Sequence, residues 1–145
     1  MSNLVLFIAM FIGGIAVAAQ PSINARLAQK VGILESSFIS FAVGTLTMLA
    51  AVHFAGRGNV KAVVDASWWE LTGGLLGAFF VSMTIVAVPR IGTASTMAAI
   101  ITAQLITGLL LDQVGVFGLR TFTIDAKRII GTALLLLGAY LIFRR

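Results

Sequence analysis

The sequence predicts an all-α integral membrane protein of five transmembrane helices. Three observations carry this. Of 145 residues, 59% are hydrophobic and only 10% are Asp, Glu, Lys or Arg, against about 25% charged in soluble domains. The mean hydropathy is +1.07, more apolar surface than a soluble chain of this length can hide. Five apolar stretches are each long enough, near 20 residues, to cross a hydrocarbon core of about 30 Å as a helix. Helices are required because lipid satisfies no backbone hydrogen bonds and five strands of this length close no barrel.

The spans follow in order. The first runs over about 4–28 and begins within MSNLVLFIAM, which lacks a basic n-region and reads as a retained span rather than a signal peptide. Gln20-Pro21 lies in its final third, where the proline removes a backbone donor and is expected to kink or break the helix. The second covers about 34–54 and ends at the turn sequence Gly56-Arg57-Gly58-Asn59. Residues 60–67 are polar enough to lie at the interface. The third covers 68–88, opened by the belt pair Trp68-Trp69 and closed by Pro89. The fourth covers about 92–111, with Asp112 at its end, and the fifth about 128–143, anchored by Arg144-Arg145. The connections leave no room for a soluble domain, so residues 1–145 read as one five-helix membrane domain.

An odd number of spans puts the termini on opposite sides. Arg57, Lys61, Arg120, Lys127 and Arg128 then share one side, and Arg26, Lys30, Arg90, Arg144 and Arg145 the other: five against five. Lys and Arg in short loops normally set orientation by staying cytoplasmic. A tie predicts insertion both ways up, with two oppositely oriented copies as the working unit. The net charge of +5 does not indicate nucleic acid, because the basic residues are scattered and form no stripe for a phosphate backbone. They fit lipid headgroups instead. With no cysteine, disulfide and thiolate chemistry are excluded.

At about 100° per residue, small and polar side chains gather on one face of four spans. In the first these are Ala9, Gly13, Ala16, Gln20 and Asn24; in the second Ser36, Ser37, Ser40, Gly44 and Thr47. In the third they are Gly73, Gly77 and Thr84, with Trp69 and Phe80 at the edge; in the fourth Thr93, Thr96, Gln104 and Thr107. Two explanations stand. Small residues let helices approach and polar ones bond across the interface, as Gly73-x-x-x-Gly77 and the Gly131/Gly138 seam suggest. Alternatively, the faces line a polar cavity, because amides such as Gln20, Asn24 and Gln104 are costly in lipid without partners or water. Ser and Thr are weaker witnesses, since they can bond their own helix backbone. No ionisable group lies centrally in any span. Glu70, near one span end, is the nearest to a coupling acid; His53 reads as interfacial. No metal set, cofactor motif or nucleophile–base pair is visible, so nothing supports an enzyme.

The chain resembles the small YdcZ-like bacterial family within the drug/metabolite transporter superfamily. The likeness rests on Gln20-x-x-x-Asn24-x-x-Leu27 followed by Gly32, Ser40-Phe41-x-x-Gly44-Thr45, Trp68-Trp69 and Gly73-Gly74-Leu75-Leu76-Gly77-Ala78. It continues through Pro89-Arg90-Ile91-Gly92, Gln104, Asp112-x-x-Gly115 and Arg128-Ile129-Ile130-Gly131. Where the family usually carries Gly-Gln, this chain has Ala103-Gln104. The resemblance implies dual-topology or paired-gene organisation and kinship with ten-helix transporters made of two inverted halves. The expected function is secondary transport of a small metabolite or drug-like solute across the bacterial inner membrane, by alternating access in an antiparallel homodimer or with a paired homologue. Gln20, Asn24, Ser40, Thr96 and Gln104 are the expected substrate-binding residues, with Trp69 and Phe80 as apolar walls. A non-transporting assembly or regulatory subunit, or a passive channel, is the alternative.

Overall fold

The structure is a computed structural model that describes residues 2–116 and 121–144. Arg120 and Arg145 of the charge tally lie outside the described residues. Among the described residues five helices are long and apolar enough to cross a membrane: α1 (Asn3–Val31), α2 (Ile33–Ala55), α3 (Gly73–Ile91, whose span begins at Trp68 with the turn before it), α4 (Thr93–Val114) and α5 (Ala126–Phe143). Among the described residues there is no strand. The chain divides into two compact units, residues 1–90 and 91–145.

In the first unit, α1 and α2 form a hairpin joined by Gly32 alone. Gly32 sits at φ 105°, a backbone conformation that L side chains rarely adopt. Its N–H closes α1 on the Ala28 carbonyl and its carbonyl starts α2 by accepting from Ser36. Ser36 and Ser40 both bond Asn24, and the Asn24–Ser40 pair centres on the joint, as antiparallel packing demands. α1 runs unbroken through Pro21, so of the expected kink or break the break does not occur. Pro21 costs only the bond that the Val17 carbonyl would accept, and its ring is fully buried.

Residues 60–67 form the 3₁₀ turn Val60–Asp65, entered where Asn59 Oδ1 accepts from the Lys61 N–H. A second 3₁₀ turn, Trp68–Thr72, precedes α3. The Glu70 carboxylate there accepts from the Ser67 N–H at 2.6 Å, so it caps its own turn. Pro89 does not close α3. The helix continues to Ile91, because a proline in the last turn removes just the bond to the Ile85 carbonyl. Gly92, at φ 84°, ends it.

In the second unit α4 ends on Gly115 in the left-handed conformation, its N–H bonded to the Leu111 carbonyl. The α5 N-terminus is capped by Asp125, whose Oδ1 accepts from the Arg128 N–H at 2.8 Å. α4 and α5 pack against each other.

Burial is inverted relative to a soluble protein. Asn24, Ser36, Ser37, Thr84, Ser95 and Thr96 are buried, while Phe38 is 74% and Phe54 86% exposed. Water would penalise such exposure and lipid does not.

Candidate functional site

A cleft with a volume of about 510 Å³ lies in the first unit. Gln20 of α1, Ser40, Phe41, Gly44 and Thr45 of α2, and Val60 of the first 3₁₀ turn contribute to its lining. Gln20, Ser40 and Thr45 supply the polar groups of a wall that is otherwise apolar. Gly44 opens the space: a Cβ there would meet nothing within 4 Å.

Asn24 supports this polar part from behind. It is 5% exposed, and its Nδ2 donates to Ser40 Oγ at 3.2 Å. Ser36, with no exposure at all, donates Oγ–H to the Asn24 carbonyl at 2.8 Å. Ser40 therefore accepts from Asn24 and keeps its own O–H to donate. Among the described residues the Gln20 amide makes no side-chain hydrogen bond, leaving two donors and an acceptor for a solute. The cleft lining holds no charged residue. It is suited to a solute with an apolar body and one or two neutral hydrogen-bonding groups.

The structure brings Gln20, Asn24 and Ser40 together and places the other four expected residues elsewhere. Trp69 lies on the turn Trp68–Thr72, where its carbonyl accepts from Thr72 Oγ1, and Phe80 is half-buried on α3. Neither lines this cleft. Thr96 is buried on α4 and spends its hydroxyl on the Gly92 carbonyl at 2.8 Å. Gln104 is exposed on α4 and lines a different cleft of the second unit.

Two features escaped the sequence reading. Ser37 Oγ lies 2.9 Å from Ser82 Oγ, joining α2 to α3. Ser37 also donates to the Ile33 carbonyl at 3.1 Å; a hydroxyl has one proton, so Ser82 is then the donor to Ser37. Ser82 shares no polar stripe on its own helix, so only its partner reveals it. The other feature is an ion pair between Asp112 Oδ2 and Arg128 Nη1 at 2.9 Å. Opposite charges at the end of one span and the start of the next were the available signal.

Comparison with known proteins places these observations. Inner membrane protein YdcZ of Escherichia coli (strain K12) is 34% identical over 137 residues, covering 91% of this chain and 90% of that protein. No solved structure matches the chain. The family described as "Putative inner membrane exporter, YdcZ" matches residues 5–141. Five apolar helices and this match make the chain a multi-pass inner membrane protein, and the matching family is described as one of exporters. With the match spanning nearly the whole chain, this protein belongs to the YdcZ family of inner membrane exporters.

Proposed function

We propose that the chain is a secondary transporter that exports a small metabolite or drug-like solute, working by alternating access in an antiparallel homodimer. The observation that carries this is the cleft in which Gln20 and Ser40 face an apolar wall while buried Asn24 holds Ser40 in place. A packing face has no need of a half-buried amide beside empty space. The even split of positive charge supports the antiparallel pair, since one gene then supplies both halves of an inverted repeat.

Counterflow in liposomes tests it. Purified protein is reconstituted and screened against a panel of small neutral and amphiphilic metabolites. Saturable exchange driven by unlabelled solute on the opposite side is expected. Gly44→Phe, which fills the cleft, abolishes exchange while helicity is retained. Absence of exchange for every solute, together with co-purification in a larger complex, supports a regulatory subunit instead. Non-saturable flux supports a passive channel.

A further inference from the structure

The second unit carries a built cleft that the export reading does not use. Its volume is about 320 Å³, and it lies between α4 and α5. Gln104, Gly108 and Asp112, four residues apart in turn, share one face of α4, and Arg128 and Thr132 likewise share one of α5. A Cβ at Gly108 would meet nothing within 4 Å, so the middle of the cleft is open.

Its charged end is the Asp112–Arg128 pair. The contact is single: Oδ2 to Nη1 at 2.9 Å. Among the described residues Asp112 Oδ1 accepts no hydrogen bond, and no other guanidinium nitrogen of Arg128 donates one. The two side chains remain 41% and 37% exposed, within reach of a solute. The pair is also held in place. Phe122 lies 5.5 Å from the guanidinium carbon, the Phe122 N–H bonds the Asp112 carbonyl at 2.9 Å, and Asp125 fixes the α5 N-terminus. Both charges are therefore positioned with bonding capacity to spare.

The geometry points to a binding site for a small zwitterion, a solute carrying an ammonium and a carboxylate a few ångströms apart. Its carboxylate meets the free N–H groups of Arg128 in the forked arrangement that guanidinium favours. Its ammonium meets the free oxygen of Asp112. Thr132 and Gln104 supply neutral hydrogen bonds further along, and Leu105 and Leu109 of the same lining accept an apolar side group. Electroneutrality gives the selectivity. A zwitterion leaves every charge at the site compensated, whereas a net anion or cation leaves one member of the pair without a partner.

Thermal unfolding of the full-length protein in detergent tests this without any flux measurement. The probes are L-leucine, 4-methylpentanoate (the same skeleton without the amine) and isoamylamine (the same skeleton without the carboxylate). The wild-type Tm rises saturably with leucine and not with the other two. Asp112→Asn weakens leucine binding about ten- to hundredfold, the effect of losing one charge-assisted bond, and gains a response to 4-methylpentanoate. Arg128→Gln gains a response to isoamylamine instead. A pair that only clamps the loop would lower Tm in both variants without exchanging these preferences, and that result overturns the proposal. Where a variant does not fold, wild-type selectivity decides: no shift, or equal shifts with all three probes, overturns it.

Discussion

Removing one positive charge from one side should unbalance orientation by an amount that can be worked out. Arg57 and Lys30 suit this, since both are exposed and neither side chain pairs with a described residue. By contrast Arg26 donates to Gln29, Arg128 pairs with Asp112, and Arg144 lies over Tyr140. A juxtamembrane cation is worth about 1 kcal/mol at an anionic leaflet, so deleting one changes the ratio of orientations about fivefold. If copies pair at random, antiparallel pairs then fall from about half to about a quarter of the total, and with two deletions on one side to about one in sixteen. Exchange activity should fall in proportion for Arg57→Gln and equally for Lys30→Gln. The combined variant, four charges against four, should regain wild-type activity. Because the chain has no cysteine, Gly58→Cys gives a unique label for a membrane-impermeant maleimide in intact cells. Charge is not what sets orientation if Arg57→Gln leaves the labelled fraction unchanged. A combined variant no more active than either single one would refute the antiparallel argument.

Ser37→Ala should destabilise more than Ser82→Ala, by about 1 kcal/mol against about 0.6 kcal/mol, because Ser37 makes two hydrogen bonds and Ser82 one. Unfolding in denaturing detergent, followed by the fluorescence of Trp68 and Trp69, measures both, and the double variant should cost less than the sum of the two. Gly32→Ala should lose about 1–3 kcal/mol through its backbone conformation alone, φ 105° with ψ 162°, a region essentially reserved to glycine. The new Cβ meets only the carboxylate end of the exposed Glu35 side chain, which can swing aside, so Glu35→Ala in the same chain should recover little of the lost Tm. Gln20→Leu should raise the KM for exchange by up to about tenfold with the fold unchanged, the loss of one neutral hydrogen bond to the solute.

The five helices were legible because each span is an uninterrupted apolar run, and no other structure satisfies its backbone in lipid. The proline-based stops were less so. Pro21 and Pro89 read as breaks by their chemistry, yet each removes a single donor, and both helices continue through them. Helix ends were set by glycines with positive φ, at Gly32 and Gly92, which no hydrophobic pattern marks. Within the candidate site, Gln20, Asn24 and Ser40 were found because each lies on the polar face of its own helix. Thr96 lies on such a face too, but its hydroxyl turns back to its own backbone, a choice periodicity cannot register. Ser37–Ser82 and Asp112–Arg128 depend on the register between two helices, and the pattern of either helix alone does not contain it.

The single-residue joint at Gly32 has a mechanical meaning. Consecutive Cα atoms stand about 3.8 Å apart, so one residue between α1 and α2 provides almost no slack. The two helices cannot slide past one another along the membrane normal; a push on one is delivered to the other as rotation about the hairpin tip. Gln20 and Ser40, on opposite arms, therefore travel together. The hairpin behaves as a lever whose solute contacts keep their spacing while the lever tilts. A flexible insert at Gly32 should uncouple the arms, while the same insert between Asn59 and Ser67, where the connection is longer, should be tolerated.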